Sequence, residues 1–598
     1  MKSIRTANGG GFMGDYSEAL YNQVTGGHID YLTADSLAEL TTLIVRGQMA
    51  RDSRLGYAKD FLRNITPALK EIKQKGIKVV TNFGALNPEG AAYALRDAAA
   101  NLGLDFKIAY ITGDNVYSRL EELSAKSNIL HNIETGTGID LEKVLVANAY
   151  IGSDGIKAAL DRGADIVIVG RATDTSLVLG PLMHEFNWKN NYWNLKAAGI
   201  IAGDILECGA QATGGNFSRP EEILADSSYK NIGYPIAVFN PDGTFWITKH
   251  DGTGGAVTVN TVTNQLLYEL GDPARYISPD AIANFLTINL KQDGKDRVFV
   301  SGIRGQPYTD TYKVSMGLRT DKYKATGSVM LCGGDVLGAA ELFQQILWDR
   351  VKGNPSEVKV ERVGYDSCNR GGAPPSYKPD EILLRIGVSD SDKRIVDKFS
   401  REFVSVTLSG SEGVTYVVEG VPRTGKETTV AYCPSLVPKE CIDQKITILD
   451  GKSSETFTIR GSDFRPHSKT EVYRPNFDLS NVVPRNSSRL VNLRDHTYGV
   501  SGDKGNSTNA AFWTNSDPFY RWMVDNLTAE FLAKHFSTVN PEKVDRYLVP
   551  NLRAINLVLN GFLEGGASEG LIIDKQGKTV AAHMRNKIKT SIDEAFLV

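Results

Sequence analysis

The chain is poor in the residues that mark secreted, metal-bound or membrane-embedded proteins. Five cysteines, Cys208, Cys332, Cys368, Cys433 and Cys441, are spread over 598 residues without a CxxC pair. That spacing excludes a dense disulfide framework and fits a reducing compartment. The histidines are equally scattered, at 28, 131, 184, 250, 467, 496, 535 and 583, with no HExxH or other zinc-spaced pair; no metal site is expected. No GxxxxGK[ST] occurs, which argues against a P-loop. No apolar run approaches the roughly 18 residues of a membrane span, and Met1–Thr6 leads into a strand-like segment rather than a signal-peptide core. Charge of one sign is lacking too: 67 basic and 70 acidic residues leave a net −3, no electrostatic footprint for nucleic acid or anionic membrane. The expectation is a cytoplasmic protein whose partners are a small-molecule substrate and further copies of itself as a homo-oligomer.

What is present is ordinary globular material, 41% hydrophobic and 23% charged, in a chain long enough for two or three domains. Strands are expected at 3–7, 29–33, 77–81, 106–111, 144–147 and 166–169, several as unbroken apolar runs of the kind covered on both faces. Between them lie helices with readable ends: Asn87-Pro88-Glu89 places a cap, a first-turn proline and a first-turn acid, and Gly103 sits where a C-terminal cap belongs. Six β-α repeats predict a largely parallel α/β sheet with helices on both faces over 1–234. From 235 to 480 the pattern turns to mixed α+β, with strands expected at 236–239, 245–248, 256–259, 285–290, 297–300, 311–316 and 322–330 and a helix over 334–350; this region reads as either a separate domain or an extension of the first. The polar stretch 481–488 reads as a linker. The remainder, 489–598, is long enough for a small α+β domain with a helix near 518–535 and a strand pair around 570–582.

In open parallel sheets, ligands bind at the carboxyl ends of the strands. Those ends carry Asn8-Gly9-Gly10-Gly11, then Asp35, Asn82 with Asn87, Asp114, Asn148, and finally Arg171 with Asp174. Each turn alone is what caps and turns favour; six polar, glycine-rich turns on one edge point to a site. Gly9, Gly11 and Gly14 with Asp35 also spell a dinucleotide fingerprint, but 58 glycines yield ~0.5 such patterns by chance in a chain of this length. Further along, Glu207-Cys208-Gly209-Ala210-Gln211 joins a carboxylate, a thiol and an amide, and Lys504 stands alone among hydroxyls, amides and glycines in Ser501–Asn509, a combination suited to an anion or to a solvated turn.

An ordered set of motifs resembles the acyclic terpene utilisation (AtuA) family: Gly11-Phe-Met-Gly-Asp15, Ile29-Asp-Tyr-Leu-Thr33, Val79-Val-Thr-Asn82, Leu86-Asn-Pro88, Ala147-Asn-Ala-Tyr150, Leu206-Glu-Cys-Gly-Ala-Gln211 with Thr213-Gly-Gly215, and Gly252-Thr-Gly-Gly255. Ser501-Gly-Asp-Lys-Gly505 is similar to the motif of the family's smaller ferredoxin-like domain. The resemblance implies catabolism of isoprenoid or other branched acids as coenzyme A thioesters; the residues themselves carry no redox or metal signature, so no cofactor is expected beyond coenzyme A as part of the substrate. It supplies no agreed catalytic set. The residues suggest three readings. In a lyase or hydratase, Asp35, Asp114 or Asp174 takes a proton next to a carbonyl while Arg171, Asn82 and loop amides hold the oxygen. In a hydrolase or acyl-transferase, Cys208 is the nucleophile with Glu207 or a distant histidine orienting it. The third is a non-catalytic acyl-binding subunit. In each, Asn8, Gly9, Gly10, Gly11, Asn82, Asn87, Asn148, Arg171, Gln211 and Lys504 are expected to contact the substrate.

Overall fold

A computed structural model describes residues 2–127, 130–189, 191–368, 376–425, 428–467 and 471–598. The chain divides into two compact units: Met1–Gly317 with Cys433–Asp478 and Val549–Leu552, and Leu318–Tyr432 with Leu479–Leu548 and Arg553–Val598. Among the described residues, no helix is long and apolar enough to cross a membrane.

The first unit is built on an eleven-stranded sheet. Its centre is parallel: β1 (Ile4–Asn8), β2 (Tyr31–Ala34), β3 (Lys78–Thr81), β6 (Ile166–Val169) and β4 (Ile108–Thr112), in that order. Antiparallel strands extend both sides, Ile236–Phe239 beside β1 and Gln444–Asp450 beside β4. The all-apolar runs are the ones covered on both faces. Ala7, Leu32, Val79, Ile108 and Ile166 pack with Leu20, Phe61, Leu69 and Leu95 of the helices that follow the first three strands; the helices Ser176–Glu185 and Trp193–Glu207 cover the other face against β1. Burial of such residues, at about 1.5–3 kcal/mol per large side chain, is what fixes the strand order.

Four local expectations are corrected. The strand at 144–147 exists as β5 (Val144–Ala149), but it leaves the parallel sheet and joins a small sheet with Thr311–Arg319. An apolar run specifies a strand, not its neighbour. At 256–259 a helix begins instead of a strand: Thr258 accepts from the Thr261 amide while the Thr261 hydroxyl accepts from the Thr258 amide, a reciprocal cap that starts the helix Val259–Leu266. The run at 285–290 opens as a 3-10 turn, Phe285–Thr287, because Asn284 caps the Leu286 amide, and only then becomes the strand Asn289–Gln292. The strand pair near 570–582 is replaced by a buried loop and a helix. Leu571 and Ile572 plug the core, and the Asp574 carboxylate accepts from the Thr579 amide and hydroxyl at the threshold of the helix Val580–Lys587.

The second unit holds two four-stranded antiparallel sheets. One, of Glu357–Val363, Glu381–Asp390, Tyr323–Cys332 and Val414–Tyr416, carries the helices Val336–Val351 and Lys393–Ser405 on a shared core of Phe343, Phe399, Phe403 and Ile386. The other is the ferredoxin-like sheet Tyr498–Lys504, Ser507–Trp513, Ala554–Leu559 and Val544–Val549, with helices Asp517–Asn526, Ala529–His535 and Val580–Lys587.

Candidate functional site

Most of the polar turns meet at the carboxyl edge of the parallel strands. Directly after β2, Asp35 accepts from the Leu37 amide (2.9 Å) and from the Asn82 side chain, both at Oδ1; its Oδ2 takes no hydrogen bond among the described residues. Asn82, after β3, also accepts from the Ser36 amide (2.8 Å), so the two turns lock together. Arg171, after β6, donates to the Leu37 carbonyl (3.0 Å), pairs with Asp174 (3.2 Å) and stacks on the Tyr150 ring at 4.0 Å. Burial and the neighbouring Asp174 carboxylate raise the proton affinity of Asp35 well above the usual range, with Arg171 opposing.

One strand over, Asp114 ends β4. Its Oδ2 accepts from Asn148 (2.8 Å) and from the Arg171 amide (2.8 Å), and its carbonyl accepts from the Ala149 amide (2.7 Å). Although β5 lies outside the central sheet, single bridges from Asn148 to Asn115 and from Ile151 to Ala172 pin its end to the loops after β4 and β6. Asn115 accepts from the Tyr117 amide and so caps the next turn. A Cβ on Gly170 would lie 2.5 Å from the Asp114 carboxylate, so only glycine fits there. Gly113, at φ +112°, lets the Asp443 backbone pass where any side chain would collide. Burial lifts the Asp114 carboxyl to about 6, with the donated hydrogen bonds limiting the rise.

The first loop forms a wall. Asn8 braces it by bonding both the amide and the carbonyl of Gly10, whose carbonyl accepts from the Asp35 amide (2.9 Å). Gly11 presses on the end of the helix Trp193–Glu207, where a Cβ would come within 2.8 Å of the Glu207 carbonyl. The amides of Gly9, Gly10, Gly11 and Gly14 are taken by Thr33, Asn8, Asp15 and Asp60. A pyrophosphate would have to displace those bonds.

Behind this wall lies a group the sequence reading only half found. Glu207 is pushed well upward by burial and then by the charges of Asp204, Asp174, Asp35 and Glu269. Tyr276 is raised by burial and by Glu207, Asp204 and Asp174. Glu207, Asp174 and Cys208 keep partial solvent exposure deep among these neighbours, as side chains lining a recess do. Among the described residues, no three His, Cys, Asp or Glu side chains converge as metal ligands. Burial and the Glu207 carboxylate also push the Cys208 thiol well up, the reverse of an activated nucleophile. Gln211 donates to Gln265 (2.8 Å), which in turn donates to the Asp204 carbonyl (2.8 Å).

Asn87 also has a structural duty: it caps the helix Pro88–Ala100 through the Gly90 amide and donates to the Arg54 and Leu55 carbonyls. Lys504 belongs to the second unit, exposed at the end of the strand Tyr498–Lys504. Asp204, Glu269 and Tyr276 were missed. The one signal for them was Asp204 three residues before Glu207 on an otherwise apolar helix, Ala197–Leu206, which sets two acids on one face.

No curated protein matches the chain. The ferredoxin-like domain model of the family matches residues 491–589, and the model described as acyclic terpene utilisation family protein AtuA matches residues 4–448, which include the whole carboxyl edge and the acidic recess. The chain belongs to the acyclic terpene utilisation family, whose description ties it to the catabolism of acyclic terpenes.

Proposed function

We propose that the chain is a lyase or hydratase that uses acid–base chemistry on a branched or isoprenoid carboxylic acid carried as its coenzyme A thioester or a related carboxylate. The observation that carries this reading is Asp35: a buried carboxylate with one oxygen unengaged, a raised proton affinity, and the Arg171 guanidinium beside it. A base of this kind is ionised enough to accept a proton near neutral pH and basic enough to hold it. Asp35 removes the proton next to the substrate carbonyl, and the electron pair moves onto the carbonyl oxygen, which Arg171 stabilises. Glu207, kept protonated by burial and its acidic neighbours, returns a proton to the leaving β-substituent. Two carboxyl groups in different environments thereby take the two roles. Asp114 acts as a positioning residue, because its carboxylate is spent on Asn148 and the Arg171 backbone.

The thiol-dependent alternative is weaker, since a thiol whose proton is held this tightly offers little thiolate. The test is isotope exchange. Branched acyl thioesters and free acids are incubated with the full chain in D2O, and deuterium at the carbon next to the carbonyl is read by mass spectrometry. Exchange that depends on Asp35 is the expected result. A panel with no exchange in any member sinks the acid–base reading and leaves an acyl-binding protein.

A further inference from the structure

The helix Trp193–Glu207 carries opposite charge at its two ends. Eleven residues, or about 16 Å, before Glu207 stands Lys196, only 2% exposed. Its ammonium lies 5.6 Å from the Trp193 ring and has no hydrogen-bond partner among the described residues. Lys439, 3% exposed, donates to the Pro279 carbonyl (2.7 Å) and lies 4.0 Å over the Tyr308 ring and 5.2 Å from that of Phe464. Trp193 meets Tyr308 edge-on at 5.3 Å, and Tyr308 meets Phe464 at 5.2 Å. Both ammoniums therefore border one aromatic box, whose walls Trp193, Tyr308 and Phe464 are half-exposed while its lysines are buried; Tyr312 backs Lys439 at 5.3 Å, and the exposed His467 ring lies 4.9 Å from both Trp193 and Tyr308 at the rim.

The charges in this box do not balance. Asp280 is the buried carboxylate beside both lysines, and its two oxygens are taken by the Ser153 amide (2.9 Å) and hydroxyl (3.1 Å). Asp154 and Asp310, the other acids acting on Lys439, lie on the exposed surface. Two buried cations thus face one buried anion. A buried charge lacking a counter-charge is strongly unfavourable, and one further single negative charge would neutralise the box. Burial already drives Lys439 down to about 8.

We propose that the box binds a small monocarboxylate, its charged end between Lys196 and Lys439 and its hydrocarbon against Trp193, Tyr308 and Phe464. One carboxylate supplies the missing charge, and the aromatic walls suit an apolar tail. A phosphate dianion overshoots the charge and leaves the walls unused. The site is separate from the acidic recess and does not rest on the acid–base reading.

The experiment is thermal unfolding of the full chain in sodium isovalerate, sodium phosphate and sodium chloride at equal ionic strength. A ligand that binds only the folded state raises the midpoint with its concentration. The expected result is a saturating rise in isovalerate alone, lost in Lys196→Met and in Lys439→Met, with calorimetric affinity for isovalerate falling at least tenfold in each. If either variant fails to fold, the other carries the test together with wild-type calorimetry. Equal midpoints in all three salts, or a larger rise in phosphate, overturn the proposal. So does a response to isovalerate that survives both lysine substitutions but disappears in Arg171→Met, which would put the carboxylate in the acidic recess.

Discussion

Asp35 and Asp114 occupy equivalent places on one sheet edge, with two strands between them, yet their surroundings differ. Each follows a parallel strand, each is buried, and each accepts from an asparagine delivered by another strand, Asn82 in one case and Asn148 in the other. Asp114 is surrounded by neutral donors, which hold its carboxyl to about 6. Asp35 is raised by burial and then by the Asp174 carboxylate, with Arg171 opposing. The local grammar is the same. With burial common to both, what separates the bracing carboxylate from the one proposed as the base is the Asp174 charge brought in by the loop after β6.

The largest expected effect tests that contrast directly. Asp35→Asn should lower deuterium exchange by roughly 10²–10⁴-fold, with stability near pH 8 unchanged or raised because a buried charge has gone. A variant that keeps wild-type exchange would make the two aspartates equivalent after all. Arg171→Met comes next. Removing the cation that faces Asp174 and Asp35 leaves buried carboxylates uncompensated and should cost about 3 kcal/mol at pH 8. Chemical denaturation should find a smaller loss at pH 5, where Asp35 is protonated.

Asp114→Asn has a smaller effect whose sign follows from proton binding. The folded carboxyl holds its proton up to about 6, against 3.8 for an unperturbed aspartate, so the folded protein binds more protons over that interval than the unfolded chain does. Stability therefore falls as pH rises from about 4 to about 6 and then levels, by on the order of 2–3 kcal/mol. In Asp114→Asn that decline should disappear while exchange activity drops less than tenfold; denaturation midpoints at pH 4, 5, 6 and 7 measure it. The smallest effect is expected at Cys208. Cys208→Ser should leave exchange intact and change stability by under about 1 kcal/mol, and iodoacetamide should label Cys208 slowly in the wild type. Rapid labelling with loss of exchange would revive the nucleophile.

The parallel centre was legible because runs such as Ile166–Val169 are apolar at every position, and only strands covered on both faces need that. The departure of β5 was not. Val144–Ala149 looks like its neighbours, and its partner Thr311–Arg319 lies more than 160 residues away. The site divides along the same line. Asp35, Asn82, Asp114, Arg171 and Asp174 were readable because strand ends on one edge must converge, whereas Asn148 reaches the edge from another sheet through its bridge to Asn115. Glu269 and Tyr276 reach the recess through tertiary packing, and no local pattern announces them. The lysine box was invisible for a related reason: a lysine in an apolar helix reads as a solvated side chain until burial shows otherwise.

The breadth of the central sheet also bears on how the molecule avoids its own kind. Its parallel strands would make adhesive borders, since their exposed backbone would meet a neighbour through Val, Ile and Leu. The antiparallel strands move those borders outward. The outermost strand on one side is Ser453–Ile459, Ser-Ser-Glu-Thr-Phe-Thr-Ile, largely exposed, and on the other Asn289–Gln292, Asn-Leu-Lys-Gln, with all but the leucine exposed. Hydroxyls, an acid, a lysine and amides at a border are poor templates for a further strand. A sheet this wide thus ends in two polar selvedges that keep one molecule from weaving into the next.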